Sequence, residues 1–423
     1  MPFRVLWWSR AISFAGDGVG RTALVLYAAT RGATAVSLVL LAIALPRFLG
    51  PLAGALADRF DQRRLMAVCE TGQAVVFATL AVLLPPLPVL AALVLVSGCL
   101  TTAFTPAGRS AVPSLVPERD LGRANALLST AFNLQVALGP TIGGLTVQWG
   151  GARAAFALDA LTFVVSALIL TRLPALRPTG DHSGLWAETI AGLRFVATSP
   201  GPRALVLSLF VAVSFAAMDN VALVFLVSDQ LHGSAAEFGF TQAAFGVGML
   251  AASSLLIVRR GSAVALMIGG LLLGVTGTVS TALLPTVLAV AVAQVVAGAG
   301  NGAENVATDT LVQRLTPRHL LGRVFGAVAT AAQLGSAVAY VAAGPLVGAL
   351  GPRGVFLVSG VGCGCALLIV VPALRPARSR SGARQSNTAR RGARGPSTGA
   401  RYRVGPPPAS GRPVRPRRRR PGR

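Results

Sequence analysis

The sequence predicts an all-α membrane protein whose twelve transmembrane helices form two pseudo-symmetric six-helix bundles. Three observations lead there. With 53% apolar and only 12% charged residues, and a mean hydropathy of +0.66, a chain of 423 residues cannot cover its own surface with polar groups in water. Charge-free runs such as 204–217, 264–296 and 355–371 match the need of a bilayer for about 20 apolar residues per helix. A pattern also returns after 200 residues: Leu121-Gly122-Arg123 as Leu321-Gly322-Arg323, Pro117 as Pro317, Arg59 as Arg259, and Gly151, Arg153 and Phe156 as Gly351, Arg353 and Phe356.

Taken in order, the spans fall at 5–30, 35–57, 64–84, 88–110, 122–149, 152–172, 202–229, 236–258, 262–283, 287–313, 322–350 and 353–372. A β-barrel would instead show short alternating strands. The polar stretch 173–201, with Pro174, Pro178, Asp181 and His182, reads as a cytoplasmic link between an N-terminal bundle at 1–172 and a C-terminal bundle at 202–372. The opening Met1-Pro2-Phe3-Arg4 runs into a segment too long for a signal peptide.

All 38 basic residues are Arg, and 16 of them lie in 373–423, which has no acid. Of the other 22, sixteen face one side of the spans, from Arg4, Arg59, Arg63 and Arg64 to Arg314, Arg318 and Arg323. The positive-inside rule makes that side cytoplasmic, and an even number of spans puts both termini there. Arg10, Arg21 and Arg47 fall inside spans. The four cysteines, Cys69, Cys99, Cys363 and Cys365, lie in spans without metal or redox spacing and read as packing residues.

Between spans 2 and 3 stands Gly54-Ala-Leu-Ala-Asp58-Arg59-Phe-Asp61-Gln-Arg63-Arg64. It resembles motif A of the major facilitator superfamily. Gly54 would allow close helix approach, Asp58 would meet a neighbouring helix N-terminus, and Arg63 and Arg64 would sit among anionic headgroups. A solvated, topology-setting charge cluster is the plainer reading of the same residues. The resemblance implies that Asp58 latches the bundles near Gly322 and Arg323. The second-half counterpart, Val258-Arg259-Arg260, lacks the acid, so such a latch would be one-sided.

In span 5, Gly139-Pro140-Thr-Ile-Gly143-Gly144 resembles motif C, which marks exporters of that superfamily. Proline removes a helix hydrogen bond, and the glycines permit bending and tight contact. Gln135 stands where the longer pattern expects glycine, which leaves an importer or uniporter as the alternative. Trp7-Trp8, Gly16-Asp17-Gly18 and 104–113 narrow the likeness to the branch of enterobactin exporters and macrolide efflux proteins.

Charges inside a bilayer are costly and mark candidate sites. Asp17 and Arg21, four apart, can pair within one helix, with Arg47 as an alternative partner for Asp17. Asp219 and Glu304 have no opposite charge within a turn and are the proton-coupling candidates. A carboxyl facing a wet cavity can accept a proton from one side and release it to the other. The alternative is hydrogen-bonded packing beside Asn220, or beside Asn301 and Asn305. Asp159, near the outer end of span 6, could pair with Arg153, and Glu70 and Asp309, near the cytoplasmic surface, are expected to form interface salt bridges with Arg63 or Arg314. Arg109 and Asp309, equivalent in the repeat, could pair across the bundles. Asn133, Gln135, Gln242, Gln294 and Asn301, with Phe132 and Phe245, are the cavity candidates.

The tail 373–423, rich in Arg, Pro, Gly and Ser, cannot bury enough apolar surface to fold and would adsorb to anionic lipid. It lacks aromatic interleaving, so nucleic acid is not an expected partner. No P-loop exists, since there is no lysine, and no catalytic or metal constellation is visible, so neither enzyme activity nor a cofactor is expected. The expected function is secondary active export of a small amphipathic molecule, driven by protons, in a bacterial cytoplasmic membrane. A sensor or scaffold acting through the basic tail is the alternative from another class.

Overall fold

A computed structural model describes residues 2–176, 194–256 and 262–374 of this chain. Most of the predicted link, Arg259 and Arg260 and the tail from 375 onward lie outside the described residues. The helices are α1 (Pro2–Ala29), α2 (Ala33–Ala44), α3 (Gly50–Arg59), α4 (Gln62–Leu83), α5 (Leu87–Leu115), α6 (Leu121–Leu170), α7 (Pro200–Ala216), α8 (Asp219–Phe225), α9 (Ala235–Leu256), α10 (Ala263–Leu283), α11 (Val287–Leu315) and α12 (Leu321–Leu374). No strand occurs among the described residues. A 3₁₀ turn, Leu45–Leu49, joins α2 to α3, because Pro46 can neither donate nor continue the α-helical ladder.

Eight helices among the described residues are long and apolar enough to cross a membrane, and the bent segment 33–59 would make a ninth. The sequence-derived count of twelve is larger for identifiable reasons. Helix α1 spans 28 residues but carries Arg4, Arg10, Asp17 and Arg21. Helices α6 and α12, at 50 and 54 residues, would reach about 75–80 Å if straight. Each contains a single residue off helical geometry, Gly151 (φ 70°, ψ 178°) and Gly351 (φ 70°, ψ 169°), a left-handed-side conformation that glycine adopts without a Cβ clash.

The chain reverses at these glycines. Along α1, Trp7 Nε1 donates to Leu127 O and a Cβ on Gly18 would strike Gly139, so the first arm of α6 runs parallel to α1. Ser9 bonds Ser166 while Gly16 and Gly20 abut Asp159, so the second arm runs back. In α12, Gly335 faces Phe210 and Val213, and Cys363 Sγ donates to Ala212 O, which likewise sets both arms against α7. The repeat extends to the approaches: Pro117 and Pro317, both extended, precede 3₁₀ turns Glu118–Asp120 and Arg318–Leu320.

Side chains tie the connections at the glycine end together. Tyr27 Oη donates to Leu84 O at 2.5 Å. Arg353 donates to Gln230 Oε1 at 3.0 Å and to the carbonyls of Ala282 and Leu284 at 2.7 and 3.1 Å, filling orphan acceptors at the C-terminus of α10. Replacing Arg353 with alanine is expected to cost about 1–3 kcal/mol and lower the thermal unfolding midpoint of the purified protein, whereas Arg353→Lys, lacking the fork, should recover only part of it.

The apolar core is divided unequally. At the glycine end one cluster joins both parts of the chain, with Leu24, Leu40, Phe77, Leu90 and Phe156 packed with Val221, Phe225, Phe238, Tyr340 and Phe356. At the Arg-rich end the core splits in two. One cluster holds Leu6, Met66, Phe104, Leu115 and Leu170, all before residue 177, and the other holds Leu205, Met267, Leu311, Val324 and Val370, all after residue 193.

Candidate functional site: the seam and the charges beside it

The seam closes through glycine. A Cβ on Gly144 would meet the backbone of Ala235 and would lie 3.1 Å from Ala236 Cα and Gly239 Cα, and one on Gly239 would strike Pro140 O. Gln148 Oε1 accepts from the Ala236 amide at 3.1 Å. Across the molecule, a Cβ on Gly344 would stand 2.9 Å from Thr34 Cα. Only side chains without a Cβ let these backbones approach so closely. Gly139 and Gly143 serve a different contact: they seat α1 at Gly18, Val19 and Thr22. The helix continues through Pro140 without a non-helical residue.

At the Arg-rich end the opposite holds. Gly54, Gly122, Gly322 and Gly326 have nothing within 4 Å of where a Cβ would be. The close approach expected at Gly54 is therefore absent in this structure. Asp61 is the N-cap of α4, accepting from Arg64 N at 3.0 Å. Asp58 and Arg63 are half-buried, while Arg59 and Arg64 are exposed.

Several intramembrane charges differ from their expected placement. Arg119 and Asp120 form an ion pair at 3.8 Å, whereas Asp17 and Arg21 do not form one, and neither do Arg109 and Asp309. Glu70 is fully buried and accepts from Ser13 Oγ at 3.2 Å, because α4 packs this side chain against α1, two turns along the helix from Arg63. Asp159 is fully buried against Gly16 and Gly20, with Thr162 donating to its carboxylate, and does not reach Arg153. Asp309 is exposed.

Arg10, given no role by the sequence, is sandwiched over the Phe14 and Phe104 rings at 4.1 and 4.3 Å and lies in the field of Glu70 and Asp17. Asp17, Glu70 and Asp159 thus come from three elements to one buried region, with Glu70 Oε2 and Asp159 Oδ2 unpartnered. The spacing of Arg10 and Asp17, two turns apart on one helix face, was the available signal for this cluster.

The second carboxylate site lies after the link. Asp219 Oδ2 accepts from Thr278 Oγ1 at 3.3 Å, and Asp219 Oδ1 and Glu304 Oε1 are buried without partners. Asn220 instead donates to Ala217 O, and Asn305 to Asn301. Among the cavity candidates, Gln294 is buried at 5% exposure and donates to Thr281 between α10 and α11, so it does not line an opening. Asn133, Gln242 and Asn301 are half-buried; Gln135 packs on Gly18 with its carbonyl unpartnered. Phe132 is exposed and stacks edge-on with Phe14.

Comparison with known proteins agrees with this architecture. Among solved structures, the nucleoside transporter NupG superposes with a TM-score of 0.73 at 13% identity, covering 89% of this chain and 100% of that one. A bacterial homologue of the lysosomal transporter Spinster gives 0.65 at 14% identity, covering 88% and 96%. Among curated relatives, the MFS-type transporter YfiS of Bacillus subtilis (strain 168) is 29% identical over 384 residues, 86% of this chain and 89% of that one. The multidrug efflux pump Tap of Mycobacterium tuberculosis (strain ATCC 25618 / H37Rv) is 29% identical over 404 residues, 88% and 94%. The enterobactin exporter EntS of Shigella boydii is 28% identical over 347 residues, 76% and 79%. The family model described as transmembrane secretion effector matches residues 1–393. The chain belongs to that family and is a multi-pass transporter of the major facilitator superfamily, not an enzyme.

Proposed function

We propose that this transporter expels a small amphipathic molecule, drug-, macrolide- or siderophore-like, across a bacterial cytoplasmic membrane in exchange for protons. The observation that carries the reading is the divided core: one cluster bridges the seam at the glycine end, and two separate clusters face each other at the Arg-rich end. With the Arg-rich end in the cytoplasm, this is an inward-open conformation. Closing the split cores and parting the shared one would turn the same pocket outward. In this reading α6 and α12 each cross twice, divided at Gly151 and Gly351, which supports twelve crossings in two bundles at 1–172 and 202–372; the even number puts both termini in the cytoplasm. The efflux names of Tap and EntS, together with the glycine seam of α6, support export. The tail 373–423 would rest on anionic lipid.

In this account Asp219 and Glu304 exchange protons between the two sides, since a carboxyl changes its hydration demand when it gains or loses charge. The experiment is efflux into inverted vesicles under an imposed inward-acid gradient. Accumulation that collapses with the gradient supports the reading. Movement that follows the substrate gradient alone would make the chain a uniporter. Retained transport after deletion of 373–423 would dismiss a signalling role for the tail.

A further inference from the structure

Span 7 is broken where its acid stands. Helix α7 ends at Ala216 and α8 begins at Asp219, and between them Met218 N donates to Phe215 O at 3.0 Å, a turn tighter than the α-helix. The same carbonyl takes a second bond from another helix: Ser359 Oγ, fully buried in the second arm of α12, donates to it at 3.0 Å. Packing around this point is close. A Cβ on Gly362 would strike the Phe215 ring, one on Gly360 would strike Val279, and Cys363 Sγ reaches Ala212 O at 3.4 Å. Val279 adjoins Thr278, the α10 donor to Asp219 Oδ2. Ser359 thus lies between Phe215, one turn before the acid, and the helix that supplies the acid's other donor, within hydrogen-bonding reach of the carboxyl.

Asp219 Oδ1 is buried without a partner. A neutral carboxyl needs an acceptor for its proton, an ionised one needs donors, and a serine hydroxyl can be either. With its hydrogen on Phe215 O, the serine oxygen is free to accept from the neutral acid; turned to Oδ1, the hydroxyl gives the ionised acid a second donor beside Thr278. The repeat supports the pairing. Ser359 stands 200 residues after Asp159, which meets Gly16 and Gly20 of α1 with Thr162 as its donor, so both crossings bury one carboxyl beside a hydroxyl. Of the helices around Asp219, α2 and α10 carry no titratable side chain. Helix α12 contributes Cys363 and Tyr340, α11 Glu304, and α1 Asp17 and Arg21; none forms an ion pair or a hydrogen bond with Asp219.

We propose that Ser359 is the positioning residue for proton exchange at Asp219: its hydroxyl accepts from the neutral carboxyl while bonded to Phe215 O, and turns to donate to the carboxylate once the proton leaves. This rests on the proton-exchange reading of Asp219 above and adds the group that serves both of its states. The turn withdraws a bond from the carbonyl at the break, so the charge on Asp219 is felt in the bend of span 7.

The test follows the protonated-carboxyl band of the full-length protein in lipid nanodiscs by infrared difference spectroscopy as pH is varied; the part that Asp219→Asn removes belongs to Asp219. Ser359→Ala deprives the ionised form of a donor and should raise the pH at which that band is half lost by about one to two units. Ser359→Cys, of nearly the same size but a weak donor, should fall between. Cys363→Ala, one turn along the same interface, should leave the midpoint in place. A midpoint that ignores both Ser359 variants, or moves as far in Cys363→Ala, would overturn this assignment alone. A wild type whose Asp219 band does not titrate would overturn the proton-exchange reading with it.

Discussion

Replacing Gly144 with leucine is expected to part the glycine end of the seam and stop transport while the protein still folds and inserts. The new Cβ would press on the backbone of Ala235, Ala236 and Gly239, where no rotamer change can make room. Overpacking of this kind costs about 1–3 kcal/mol, and each 1.4 kcal/mol shifts a two-state equilibrium about tenfold. A cysteine at Ser37, buried where α2 meets Gly344 on the far side of the seam, reports the opening. With Cys69, Cys99, Cys363 and Cys365 replaced by alanine, a membrane-impermeant maleimide applied outside should label that cysteine at least about tenfold faster in the Gly144→Leu background. Gly122→Leu makes the same size change where nothing lies within 4 Å and should leave labelling slow. Equal rates in both backgrounds would mean that the two contacts of the seam do not move together.

Asp219→Asn and Glu304→Gln should uncouple transport from the proton gradient. Both substitutions keep shape and hydrogen-bonding capacity, Asp219 facing Thr278, but cannot carry a proton. Coupling free energies of about 1–3 kcal/mol put the expected loss of gradient-driven accumulation at roughly fivefold to a hundredfold. Exchange down a substrate gradient should persist, and its dependence on pH should flatten. A double variant that still accumulates substrate against its gradient would move the coupling role to the other buried acids, Asp17, Glu70 and Asp159.

The all-helical membrane fold and the family were legible in the sequence because they rest on periodic quantities. Apolar length, the 200-residue offset and the paired corners at Gly151 and Gly351 each repeat, and α5 and α11 begin and end 200 residues apart. The environments of single charges were not legible, since position along a span gives depth but not direction around the helix. Glu70 lies seven residues past Arg63, which suggested a salt bridge at the membrane interface, yet it packs two turns deeper, against Ser13. Asp159 follows the corner by eight residues, and the reversal at Gly151 returns it to mid-span against Gly16 and Gly20. Gln294 read as a cavity residue because it is polar, whereas Thr281 satisfies it inside a helix interface. Gly54 depends on conformation, and a sequence describes every conformation at once.

Paired spin-label distances test the account most directly. Labels at Ser129 on α6 and Ser254 on α9 straddle the Arg-rich end, and labels at Trp149 and Glu237 straddle the glycine end; all four residues are exposed. Without substrate the first pair should be far apart and the second close. As substrate and pH are varied, a population should grow in which the first distance shortens and the second lengthens together. Two distances that stay fixed under every condition, or that change in the same direction, would contradict a transporter that rocks about a central pocket.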